Sequence, residues 1–99
     1  MKKLNGHPKF YELLKKMAEL HSQKNQDYAQ ADDPLSNFEL ARILGVDPAF
    51  AVAIRMSDKW ARMANLLQKG KRPAVNEKIT DTALDLAVYC LLFIILYET

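Results

Sequence analysis

The chain has 99 residues and a mass of 11.3 kDa, which fits one domain, residues 1–99 with a core over roughly 8–97, and leaves no room for a second. Hydrophobic residues make up 49% and charged residues 26%, a composition that excludes disordered and fibrous proteins. The net charge of +2 is too small to indicate a nucleic-acid or membrane-surface partner.

The apolar spacing predicts an all-α fold, a small bundle of about four helices, because no segment alternates apolar and polar residues as a half-buried strand does. The first helix is predicted to begin near Pro8 and to run to about Asp27. Its inner face consists of Phe10, Leu13, Leu14, Met17 and Leu20. A short second helix is predicted to open at Asp33-Pro34 or at Ser36 and to end at Gly45.

The third predicted helix has a strong start signal at Asp47-Pro48, where an aspartate can accept from free amides and proline already holds a helical φ. This helix should run to about Lys69, because glycine and proline follow in Gly70–Pro73. Asn76 is then predicted to cap a fourth helix that continues to the C-terminus.

The C-terminal half of the fourth helix is apolar on every side, and such a helix is normally buried all round. Four short helices cannot cover it alone, so we expect a homo-oligomer.

The continuously apolar run, Leu86 to Tyr97, is shorter than the roughly 20 residues that cross a bilayer. With no apolar stretch after the N-terminal lysines and with Cys90 as the one cysteine, we expect a cytoplasmic protein with no membrane partner. No predicted helix exposes a mainly basic face, so we expect no direct nucleic-acid binding.

Polar residues continue the inner face of the first helix beyond Met17. They are His21, Lys24 and Tyr28, with Asn25 and Asp27 beside them. One interpretation is a helix end that leaves the core and is solvated. The other is a polar wall of a binding pocket formed by Lys24, Asn25 and Tyr28, whereas His21 by itself is interpreted as a partly buried packing residue.

A charged stripe follows one face of the third helix at spacings of three and four residues. Its members are Arg55, Asp58, Lys59, Arg62 and Asn65. The stripe is either a solvated face with an Asp58–Arg62 pair worth about 0.3–0.5 kcal/mol, or a site with an aspartate for a cation and basic groups for phosphate oxygens.

Three carboxylates, Glu77, Asp81 and Asp85, fall at i, i+4 and i+8 on the fourth helix. Like charges at this spacing repel by about 0.2–0.5 kcal/mol per pair. The helix dipole favours Glu77 and partly Asp81, but Asp85 lies beyond the first turn among apolar residues, where an unpaired carboxylate is costly. We therefore expect Asp85 to have a partner, either Arg55 or Arg62 of the third helix or a bound Mg²⁺.

Four blocks of the chain, in order, resemble the phage and bacterial nucleotide-modification-associated domain family over roughly residues 10–97. They are Lys24-Asn25-Gln26-Asp27-Tyr28, Asn37-Phe38, Arg55-Met56-Ser57-Asp58-Lys59 with Arg62, and Glu77 with Asp81-Thr82-Ala83-Leu84-Asp85-Leu86-Ala87-Val88-Tyr89. That family is distantly similar to the all-α MazG-like nucleoside triphosphate pyrophosphatases, in which two acidic helix motifs hold Mg²⁺ against the triphosphate. The second motif is matched at Asp81 and Asp85, whereas the first is not intact, because Ala61 stands three residues after Asp58.

The resemblance implies a MazG-like protein, phage-encoded or bacterial, that binds a nucleotide or modified nucleotide. The nucleotide-binding residues it implies are Lys24, Asn25, Asp27, Tyr28, Asn37, Arg55, Lys59 and Arg62. The Mg²⁺ ligands it implies are Asp58, Glu77, Asp81 and Asp85. Three functions follow as alternatives: an Mg²⁺-dependent pyrophosphatase, a non-catalytic protein that sequesters nucleotides, which the incomplete first motif favours, and a helical interaction module.

Overall fold

The computed structural model describes residues 4–28, 36–68 and 78–99, and this part of the chain contains four α-helices and no strand. The helices are α1 (Pro8–Tyr28), α2 (Ser36–Ile43), α3 (Pro48–Leu66) and α4 (Ile79–Glu98). The predicted all-α fold with four helices is therefore confirmed. The boundaries predicted for α1 agree to within one residue.

The link between α2 and α3 has the conformation that its sequence predicts. Gly45 follows α2 with a φ of +78°, which a glycine adopts without steric cost, and its amide donates to the Arg42 carbonyl at 3.0 Å. Asp47 is the N-cap of α3, because its side chain accepts from the Ala49 amide at 2.8 Å, and Pro48 occupies the first helical position.

Two predicted helix ends are wrong by a few residues. α3 ends at Leu66 and not near Lys69: Leu67 is its C-cap, and the Gln68 amide donates to the Asn65 carbonyl, only three residues back, so a turn replaces the helical hydrogen-bond pattern there. α4 begins at Ile79, because the extended Lys78 is its N-cap and the Lys78 carbonyl accepts from the Asp81 amide at 3.0 Å. Asn76, the predicted cap, lies outside the described residues, as does Lys69.

The core of the bundle lies between α3 and α4. α3 packs along α4, α2 packs on α3, and α1 packs on α4. The buried apolar side chains come from α2, α3 and α4, and they are Phe38, Ala49, Val52, Leu92 and Leu96. Met56, Val88, Tyr89 and Phe93 pack against this cluster. In the described part of α1 no apolar side chain is fully buried, so α1 rests on the side of a three-helix core.

The arrangement leaves large apolar side chains exposed. On the predicted inner face of α1, Met17 and Leu20 are half-buried, whereas Phe10 is 57% exposed and Leu14 is 42% exposed. The accessible surface is 8021 Å², against about 5700 Å² expected for a compact monomer of this mass. The Cα radius of gyration of 15.6 Å likewise exceeds the roughly 13 Å typical of 100 residues.

α4 is the one helix in the described ranges that is long and apolar enough to cross a membrane, by length and composition alone. Its 20 residues include an 18-residue window of mean hydropathy 2.0, so the predicted apolar run understated its apolar length. α4 also packs against α3 and α1, and 17% of that window is buried within the structure. The structure is thus compatible with a soluble protein.

Candidate functional site

An open pocket of about 590 Å³ lies where the four helices meet. Its polar lining comes from α1, α3 and α4 and consists of His21, Lys24, Asn25, Arg55, Lys59 and Asp85. Its apolar lining consists of Leu20, Phe38, Leu40, Val88, Tyr89 and Leu92. The structure therefore brings together five of the sequence-predicted site residues, Lys24, Asn25, Arg55, Lys59 and Asp85, which are up to 61 positions apart in the chain.

The Asp85 carboxylate bridges two lysines at the polar side of this pocket. Its Oδ1 accepts a hydrogen bond from the Lys24 Nζ at 2.7 Å, and its Oδ2 lies 3.4 Å from the Lys59 Nζ. These two ion pairs, one to α1 and one to α3, are those that Asp85 makes within the described ranges. The sequence predicted a partner for this carboxylate but named Arg55, Arg62 or a bound Mg²⁺, because it could not show that α1 packs on α4 and carries Lys24 to it.

Arg55 lies at the α2 side of the pocket. Its guanidinium carbon is 5.7 Å from the centroid of the Phe38 ring, within the range of a cation–π contact. Phe38 is buried and belongs to the core cluster. Arg55 therefore joins the pocket wall to the core, and its charge adds to that of Lys24 and Lys59.

Three other predicted site residues lie away from this pocket. Arg62 lines a separate, wide-open depression on α3 together with Ala61 and Asn65. Asp58, on α3, and Asp81, in the first turn of α4, are exposed, and neither lines the pocket or this depression. The helix dipole stabilises an acid in the first turn, which accounts for Asp81 without a ligand.

The remaining predicted residues cannot be placed. Glu77 and the side chains of Asp27, Tyr28 and Asn37 lie outside the described residues. Within the described ranges, no group of three or more histidine, cysteine, aspartate or glutamate side chains could hold a metal ion. Both oxygens of Asp85 are engaged by lysines, so the donor set among the described residues does not fit a resident Mg²⁺.

Sequence reasoning did not single out most of the apolar wall. Val88 and Tyr89 follow Asp85 at i+3 and i+4, and Leu92 follows at i+7, so the four residues share one face of α4. That spacing is visible in the sequence and could have identified the wall once Asp85 was chosen. His21 also lines the pocket, where the sequence predicted only a partly buried packing residue.

The described lining residues combine three cationic side chains and one carboxylate with an apolar wall that includes an aromatic ring. Cations of this kind bind phosphate or carboxylate oxygens, and an apolar wall with amide and imidazole groups nearby accepts a flat, partly polar ring. The pocket is therefore suited to an anion that carries an apolar or aromatic part. Comparison of the chain with protein-family models, curated proteins and solved structures found no match.

Proposed function

We propose that this protein binds nucleotides in the pocket between its four helices, as a MazG-like protein of the nucleotide-modification-associated class. The observation that supports the proposal is the convergence of Lys24, Arg55 and Lys59 on one apolar-walled pocket. Its volume of about 590 Å³ falls within the range of ordinary small-molecule sites, roughly 300–1000 Å³. The same three residues belong to the sequence blocks that resemble the family.

The two ends of a nucleotide would use different parts of the pocket. The phosphates would lie by Lys24, Lys59 and Arg55, since a guanidinium donates two parallel hydrogen bonds to phosphate oxygens and lysine acts as a point charge. The base would lie against Tyr89 and its apolar neighbours on α4, in the pocket that Asn25 also lines.

Binding without hydrolysis is the form of this proposal that the geometry supports best. An Mg²⁺-dependent pyrophosphatase, with Mg²⁺ on Asp58, Glu77, Asp81 and Asp85, stays a prediction of the resemblance. Asp85 is held by two lysines, and Asp58 and Asp81 lie exposed outside the pocket, so we derive no hydrolytic step from the described residues. We assign the protein to nucleotide binding or sequestration and name no catalytic residue.

A second candidate function, a helical interaction module, is favoured by one specific observation. Large apolar side chains are exposed on every helix, among them Phe10, Ile43, Trp60 and Ile94. Such surfaces mark protein–protein contacts. We propose that these faces serve self-association, so that the nucleotide-binding form is a homo-oligomer in the cytoplasm.

Nucleotide binding is tested by thermal shift and calorimetry with nucleoside mono-, di- and triphosphates, with and without Mg²⁺, and then by a pyrophosphate-release assay on the ligands that bind. A ligand at 100 times its Kd should stabilise the fold by about 2.7 kcal/mol. Lys59→Met should lose most of this stabilisation, because methionine keeps the apolar stem but not the charge.

The matched control is Lys16→Met, which removes a charge from an exposed position of α1 outside the pocket and should bind as the native protein does. If no nucleotide shifts the melting temperature, or if Lys59→Met binds as tightly as Lys16→Met, nucleotide binding in this pocket is wrong.

A further inference from the structure

The Asp85 carboxylate stands in the position that an anionic ligand would take. It presents one oxygen to the Lys24 Nζ at 2.7 Å and the other to the Lys59 Nζ at 3.4 Å. A phosphate group binds two ammonium groups in the same way, with two of its oxygens. The two lysines come from α1 and α3, while the carboxylate comes from α4, so three helices converge on one anion position.

This position is accessible from solvent. The Lys24 side chain is 51% exposed and that of Lys59 is 28% exposed, while Asp85 is 17% exposed. Ion pairs with this degree of exposure are weak and screened by salt, so another anion can compete for the lysines at low cost. A deeply buried pair would not exchange in this way, because breaking it would leave a charge without solvent.

The surroundings favour a multiply charged competitor. Arg55 lines the same pocket, so among the described lining residues three cations face one carboxylate. A phosphate chain carries several negative charges and can contact all three cations, whereas Asp85 carries one charge and reaches two of them. The chemistry of the position therefore favours a di- or triphosphate over a single carboxylate.

We infer that the space between Lys24 and Lys59 is a phosphate subsite that Asp85 fills in the absence of ligand, so that Asp85 competes with phosphate and holds its affinity down. The ligand class is the phosphate chain of a nucleoside di- or triphosphate, bound without a protein-held metal. This inference rests on the proposed function for the identity of the ligand. Under this inference Asp85 lowers the affinity for phosphate, whereas a metal ligand at this position would raise it.

The test compares native protein with Asp85→Asn for binding of sodium tripolyphosphate and of a nucleoside triphosphate, by calorimetry in EDTA. Removing one negative charge a few ångströms from the phosphate position should tighten binding by about tenfold or more. The control is Glu19→Gln, which removes a carboxylate from an exposed position of α1 and should change affinity less than twofold. Adding Lys24→Met to Asp85→Asn should abolish the gain.

A measurement on the native protein keeps the test independent of whether the Asp85 variants fold. In native protein, the ¹³C shift of the Asp85 carboxyl should move when tripolyphosphate is added, because the lysines leave it. If Asp85→Asn is not folded, Asp85→Ser serves as a second neutral variant. Equal or weaker tripolyphosphate affinity of a folded neutral variant, or an Asp85 signal that does not move at saturation, overturns the inference.

The outcomes separate this inference from the proposed function. If native protein binds nucleotides but the neutral variant does not bind more tightly, Asp85 is no competitor and nucleotide binding stands. If the neutral variant gains affinity for tripolyphosphate but neither form prefers a nucleotide, the phosphate subsite stands and the nucleotide proposal fails. The same calorimetry repeated with Mg²⁺ in place of EDTA adds one more outcome: loss of Mg²⁺-dependent binding in Asp85→Asn would assign Asp85 to a metal and overturn the inference.

Discussion

The Arg55 guanidinium of α3 lies over the Phe38 ring of α2, 5.7 Å from its centroid. Phe38 is 7% exposed and is the buried core residue that α2 contributes. α2 has eight residues, and a helix of that length is not stable alone in water. Phe38 therefore anchors α2 to α3, and Arg55 joins this anchor to the pocket.

Phe38→Ala should lower the free energy of unfolding by about 3–5 kcal/mol, as expected when a buried phenylalanine is truncated. Urea denaturation measures the change. Leu44→Ala is the control, because Leu44 follows α2 and is 80% exposed, and its truncation should cost less than about 0.5 kcal/mol. Equal losses in the two variants would contradict the anchoring role of Phe38.

Arg55→Lys should weaken nucleotide binding by roughly tenfold while leaving the fold intact. Lysine keeps the charge but lacks the planar fork that binds phosphate with two hydrogen bonds, and it stacks less well on an aromatic ring. Calorimetry at constant salt measures the affinity. Arg42→Lys is the control, since Arg42 pairs with Glu39 at 2.8 Å outside the pocket. An Arg55→Lys protein that binds as Arg42→Lys does would remove Arg55 from the site.

Local signals were enough to place several elements of this fold. Asp47, Pro48 and Gly45 each have a backbone requirement that few other residues meet, and the structure has α3 starting and α2 ending where these residues predict. The start of α4 was misplaced because Asn76 is a good cap by type, whereas the Lys78 carbonyl accepts the first helical hydrogen bond. The residue types alone do not show which backbone carbonyl accepts the first helical hydrogen bond.

The candidate site was only partly predictable, for a different physical reason. Periodicity places Asp85 on the inward face of α4, where a carboxylate needs a partner. The structure shows such a partner for Asp85. The identity of the partner depends on how helices distant in sequence pack, and α1 delivers Lys24 from 61 positions away. Asp58 and Asp81 share motifs with the pocket residues but point elsewhere, which spacing alone does not reveal.

Asp85→Asn should change the stability of the protein without ligand by about 1 kcal/mol or less. A fully buried pair would lose roughly 3–5 kcal/mol, but Lys24 and Lys59 are partly exposed and solvent can take over their solvation. The melting temperature at low and high salt measures this, with Glu19→Gln alongside. A loss of several kcal/mol would mean that the lysines are sealed from water and that the bridge is structural.

Gly45→Ala should destabilise the protein by about 1 kcal/mol, through backbone strain alone. Gly45 has a φ of +78°, which residues with a Cβ rarely adopt, while nothing lies within 4 Å of a Cβ added there. Gly45→Asn should lose less, because asparagine tolerates this conformation better than alanine. Urea denaturation of both variants decides the matter: equal losses would show that the conformation of Gly45 is not the cause.

The exposed apolar surface predicts self-association. In the described ranges, large apolar side chains are exposed on all four helices. Exposed apolar surface of this kind marks protein–protein contacts. Three residues near the end of α4, Leu91, Ile94 and Ile95, are each about half exposed although the helix is apolar on every side.

Sedimentation velocity at about 10–50 µM should therefore find an oligomer and little monomer. Ile94→Lys should shift the protein toward monomer, because a charge buried in an apolar interface without a partner costs several kcal/mol. Thr80→Lys adds the same charge at an exposed position near the other end of α4 and should leave the oligomer unchanged. Native protein that sediments only as monomer would show that the exposed faces of α1 and α4 do not meet a second copy.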